Sequence, residues 1–123
     1  MVVVSHEAHV LVRDSVRGRP LDIAAHAALE TYSVLTRLPG DARVRPQDAA
    51  RLLSERFAAA VVPTAKTSRG LVDELASLGI AGGAVYDALI AVTARSIDAV
   101  LLTRDRRAAA TYARLDLTVE IIE

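Results

Sequence analysis

The chain has 123 residues, no formal net charge and a hydrophobic fraction of 52%, enough for one compact aliphatic domain and too short for two ordinary ones. Its 15 Lys and Arg balance 15 Asp and Glu, which excludes a globally basic nucleic-acid binder, and the lack of cysteine excludes disulfides and thiolate metal sites. A cysteine-free chain whose MVVV opening is too short for a signal or a span is expected in a reducing cytoplasm, away from membranes. Residues His6 to Arg17 carry Ala8, Leu11, Val12 and Val16 at helical spacing, ended by Gly18 and Pro20. Leu21 to Ala25 reads as a short strand, Ala27 to Leu38 as a helix closed by Pro39 and Gly40, and Pro46 to Ala59 as a helix with proline at its start. Ala60 to Val62 is a strand candidate. Thr67 to Leu78 is helical, with Leu71, Leu75 and Leu78 on one face and Gly79 as its stop.

A helix from Gly83 to Ser96 follows, then an apolar strand from Ala99 to Thr103, a helix from Asp105 to Leu115 and a last strand from Leu117 to Ile122. Strands alternating with helices imply parallel pairing through right-handed crossovers. The expected product is a single three-layer α/β/α domain with a short, mostly parallel sheet.

Two acids in the second half of the chain are poorly explained by structure alone. Asp87 has no basic residue three or four positions away to pair with on its helix. Gly83, Ala84, Ala91 and Ala94 share its face, a surface that another element or a ligand can approach closely, while Tyr86, Leu89, Ile90, Thr93 and Ile97 are expected to cover the adjoining core. The structural alternative is a packing seam in which Asp87 bonds a neighbouring strand. Asp105 follows an apolar strand, at the end of a parallel sheet where polar function collects. It is equally a favoured N-cap. Arg106 and Arg107 sit in the first helical turn, where the macrodipole disfavours cations, and Arg104 precedes the acid, so an anion is expected nearby.

Glu30 lies in the first turns of its helix, where a glutamate also complements the dipole. Three acids from separate helices can nevertheless converge on one sheet edge. Converging carboxylates are hard oxygen ligands suited to Mg²⁺ or Mn²⁺, and without a cation they repel one another. His6 and His9 resemble half of a zinc site, but HEAH is not HExxH and surface histidines are the simpler reading. Gly82 and Gly83 do not form a GxGxxG frame after a strand.

The segments ALETYSVLTRLP (28–39), GIAGGAVYDALIA (79–91) and AVLLTRDRRA (99–108) together closely resemble the PIN-domain ribonuclease toxins of VapBC toxin–antitoxin modules. The resemblance implies a PIN fold and a metal-dependent endoribonuclease that uses Mg²⁺ or Mn²⁺. It also implies a VapB-type antitoxin that blocks the site, and commonly a homodimer. Glu30, Asp87 and Asp105 match three family acids, as catalytic and metal-binding residues, and Thr103 matches a small hydroxyl residue beside the last. Arg104, Arg106 and Arg107, and less strongly Arg37, are candidates for RNA phosphates.

Family members begin with an apolar strand that runs into a catalytic aspartate, and neither is evident before the helix expected at His6. Glu7 and Asp14 look like exposed acids on that helix and are not assigned. The favoured expectation is a start codon placed too far downstream, the rival a natural remnant impaired in folding and catalysis. Two other functions compete with this reading: a non-catalytic module that occupies antitoxin or RNA without cutting, and a small nucleotide-binding or phospho-acceptor domain. Metal-dependent cleavage separates the first from the enzyme, and the second usually places its acids after a first strand.

Overall fold

The computed structural model describes residues 9–12, 21–103 and 105–121. Along the chain these form β1 (His9–Val12), β2 (Asp22–Ala24), α1 (Ala25–Thr36), α2 (Pro46–Arg56), β3 (Ala60–Val61), α3 (Ala65–Ser77), α4 (Ala84–Ser96), β4 (Val100–Thr103), α5 (Ala109–Ala113) and β5 (Val119–Ile121). The strands make one sheet in the order β3-β2-β1-β4-β5. β2 pairs parallel with β3, and β4 parallel with β5. β1 runs antiparallel to both of its neighbours, so the other four strands all point one way. The expected α/β fold with a short, mostly parallel sheet is what forms.

The helix expected over His6 to Arg17 is not. Its described part, His9–Val12, is the central strand, and the rest lies outside the described residues. Two physical reasons favour the strand. The facing edges of β2 and β4 carry backbone donors and acceptors that need partners, and Val10 and Val12 suit a pleated conformation. Tertiary demand therefore outranks a helical period of only a few apolar residues. The direction follows from chain length: eight residues separate Val12 from Leu21, whereas a parallel neighbour needs a crossover of about a dozen or more. Of the two histidines of HEAH, His9 lies in this strand and His6 lies outside the described residues.

The other elements start and stop for local reasons. Pro46 opens α2, with Asp48 in its first turn meeting both Arg45 and Arg51. The Thr64 hydroxyl caps α3 by accepting from the Thr67 N–H at 3.2 Å. Its far end is closed by Gly79 at φ 70°, with Gly79 N–H donating to Ala76 O at 3.1 Å and Ile80 N–H to Leu75 O at 3.0 Å. This pattern satisfies two orphan carbonyls and packs buried Ile80 against the end of the helix. Asp105 and the 3₁₀ turn Arg106–Ala108 precede α5, so the helix expected from Asp105 begins as a tighter turn.

The core is aliphatic and centred on α4, where Ala88, Ile90, Ala91, Val92, Thr93 and Ala94 are all buried. Small side chains at Ala88, Ala91 and Ala94 let this helix lie close to its neighbours. Leu101 of β4, Tyr112 of α5 and Leu115 beyond it complete the layer. Among the described residues no helix is long and apolar enough to cross a membrane.

Candidate functional site

Strand register brings the candidate residues to one edge. Leu11 of β1 pairs with Asp22 on one side and Leu101 on the other, so β2 and β4 are level, and Ala24 lies opposite Thr103 across the central strand. Both strands deliver their carboxyl ends there: β2 turns directly into α1, and β4 leads to Asp105. The α4 start reaches the same edge, because the Tyr86 ring stacks on His26 of α1 with ring centroids 5.5 Å apart and planes 9° from parallel.

Asp105 is held firmly. Its backbone N–H donates to Thr103 Oγ1 at 3.0 Å, and its Oδ1 accepts from the Arg107 N–H at 3.0 Å, with Arg107 Nε 3.5 Å away. The capping role expected for Asp105 is therefore real. A cap uses one carboxylate oxygen and leaves acceptor capacity on the other. Thr103 itself is fully buried.

Asp87 sits half-buried in the first turn of α4. Its charge and that of Asp105 both act on the phenol of Tyr112, which is 1% exposed and meets the Thr103 hydroxyl. Burial first, and then the Asp87 charge, push this phenol far above its ordinary value, while the contact with Thr103 pulls the other way and Asp105 adds to the rise. Tyr112 thus remains a neutral hydroxyl beside Thr103 and within the field of two carboxylates. Sequence reading missed it, although Tyr112 lies seven residues beyond Asp105, two helical turns on.

Glu30 is exposed on the second turn of α1, with Oε1 3.1 Å from His26 Nε2. His26 thus meets both Glu30, one turn further along α1, and Tyr86, the residue before Asp87 on α4. Among the described residues, no three His, Asp or Glu side chains form a group able to hold a metal ion by themselves. Arg106 and Arg107 are exposed on the turn after Asp105, and Arg104 lies outside the described residues.

Two expectations about neighbours change. Tyr86 does not cover the core: it is 57% exposed, whereas Ile90 and Thr93 are buried as expected. Asp22, inside a strand that drew no functional interest, is 5% exposed, two residues back from the edge. A separate cleft of about 600 Å³ lies between α1 and α2, walled by Ile23, Leu29, Tyr32, Leu53 and Phe57. None of the candidate acids lines it.

Comparison with known proteins gives a family and two relatives. The PIN domain family matches residues 2–114. The chain is 47% identical over 121 residues to Ribonuclease VapC27 of Mycobacterium tuberculosis, covering 98% of this chain and 88% of that protein. It is 45% identical over 119 residues to Ribonuclease VapC40 of the same species, covering 95% and 87%. No solved structure matches the chain.

Proposed function

Since the chain belongs to the PIN-domain family and shares nearly its whole length with VapC ribonucleases, we propose that it is an endoribonuclease that hydrolyses RNA phosphodiester bonds, the toxin of a toxin–antitoxin pair. The observation that carries this reading is that Asp87 and Asp105, with Thr103 bonded to the Asp105 backbone at the carboxyl end of β4, both act electrostatically on the buried Tyr112.

The donor chemistry there fits Mg²⁺ or Mn²⁺. Such ions are commonly held by one or two carboxylates, with water and substrate phosphate in the other positions, so Asp87 and Asp105 would suffice as protein ligands, and Glu30 of α1 is the further acid of the proposed site. When bound, the ion supplies positive charge that polarises the scissile phosphate and acidifies a water. The chain's own residues do the rest. Thr103 fixes the Asp105 backbone. His26 holds Glu30 by its Nε2. Tyr112, kept neutral, adds a hydroxyl rather than a further negative charge to the field of the two aspartates. Arg106 and Arg107 offer guanidinium groups to RNA phosphates beside the site. A VapB-type antitoxin partner, a homodimer and a cytoplasmic location belong to the same reading.

Asp87→Asn tests it, because it keeps side-chain volume and removes the charge. Expected is loss of Mg²⁺-dependent RNA cleavage with an unchanged melting profile; undiminished cleavage takes Asp87 out of the mechanism. RNA or antitoxin binding by the unaltered chain with no cleavage in Mg²⁺ or Mn²⁺ would instead mark a binding module.

A further inference from the structure

We propose that the stacked pair His26–Tyr86 is a platform for one RNA base, placing the nucleotide that flanks the bond to be cut. The inference rests on the ribonuclease reading and names how that site orients its substrate.

Three observations meet at these residues. First, Tyr86 is directly followed by Asp87 in the first turn of α4, so a base on the ring lies within a nucleotide's reach of the carboxylates. Second, Tyr86 is 57% exposed, while Tyr112 and Phe57 are buried at 1% and 7%. Third, the ring is braced. Its stack on His26 is near parallel at 5.5 Å, and His26 is itself held by Glu30 at 3.1 Å. An exposed aromatic normally spends conformational freedom when a ligand orders it; this one is ordered beforehand, so less is lost on binding. An offset stack with one partner leaves a π-face for a second. Single-stranded RNA presents unstacked bases that are read in this way, and every base has a π-face. Arg106 and Arg107, on the turn after Asp105, supply backbone contacts, which orient a strand without choosing its sequence. Only the aromatic pair among these groups acts on a base.

The test uses the full chain in Ca²⁺ with short single-stranded RNAs in which 2-aminopurine is walked along the sequence. Stacking quenches this base, a signature that a merely structural role for Tyr86 would not produce. Expected is one position quenched by the unaltered protein and by Tyr86→Phe, but not by Tyr86→Leu, with Tyr86→Leu binding about tenfold more weakly. An abasic nucleotide at that position should abolish the difference between variants. Equal binding and quenching by Tyr86→Leu overturns the platform alone, as does a defect that persists with every abasic RNA. Failure of the unaltered protein to bind any RNA overturns the ribonuclease reading and the platform with it. In cleavage, the platform predicts that Tyr86→Leu raises KM more than it lowers kcat.

Discussion

The Glu74 carboxylate and the Arg95 guanidinium meet in a two-point contact, Nη1 to Oε2 at 2.7 Å and Nη2 to Oε1 at 2.9 Å, which ties α3 to the last turn of α4. Arg95 Nη1 also donates to Leu115 O at 3.0 Å, so one side chain joins α3, α4 and the segment that leads into β5. The pair is two turns down the helix from Asp87 and sets how the site-bearing helix sits.

Hydrogen bonding to Arg95 holds the Glu74 carboxyl below its ordinary value of 4.5 against the opposing effect of burial. A lowered folded-state pKa adds stability that is present above 4.5 and lost as pH falls through the folded value. Acid unfolding is therefore expected to steepen below pH 4.5, and Glu74→Gln to flatten it while costing about 1 kcal/mol at neutral pH. Denaturant melts across that range check both.

Asp105 caps a turn and faces the site, and two substitutions separate these roles. Asp105→Asn keeps an oxygen that can accept from the Arg107 N–H, so stability should stay within a few tenths of a kcal/mol while cleavage falls by at least about tenfold. Asp105→Ala should lose activity and about 1 kcal/mol of stability. Equal stability of the two variants would show that the cap contributes little.

The raised Tyr112 pKa has the opposite sign to that of Glu74. Below the ordinary value of 10.0 the phenol is neutral in both folded and unfolded chains; above it the unfolded phenol ionises first. Stability should fall as pH rises beyond 10, and the tyrosinate absorbance of one phenol should emerge only with unfolding. Tyr112→Phe should remove both effects.

Arg106 and Arg107 are expected to neutralise RNA phosphates. Replacing both with alanine should lower the slope of log affinity against log salt by about 1.4, two charges on a single strand. An unchanged slope would place them off the RNA path.

The antiparallel β1 is testable at the backbone. Its four amides should be protected from hydrogen exchange alongside those of β4. Val10→Pro, in a strand paired on both sides, should cost about 1–3 kcal/mol for each ladder bond lost.

Most helices and outer strands were legible because their signals are local: Pro46 opens α2, Gly79 ends α3, and apolar runs of strand length become β4 and β5. Glu30, Asp87 and Asp105 stood out because each is an acid at a position where charge needs a reason. The central strand was illegible, since HVLV carries the spacing of a helix and becomes a strand only where two sheet edges need partners. Tyr86 and Tyr112 show the same limit from opposite sides. The ring expected in the core stands in solvent on His26, and the one overlooked lies buried within the field of two aspartates.

The sequence by itself determined the class of fold and the family the chain matches, because composition, caps and motif order act over short stretches of chain. Tertiary structure alone decided which acids share a field, which aromatic ring is offered to solvent and which way the central strand runs. Those properties depend on register and packing between segments far apart in the chain, where pairing demands at a sheet edge outweigh local preference.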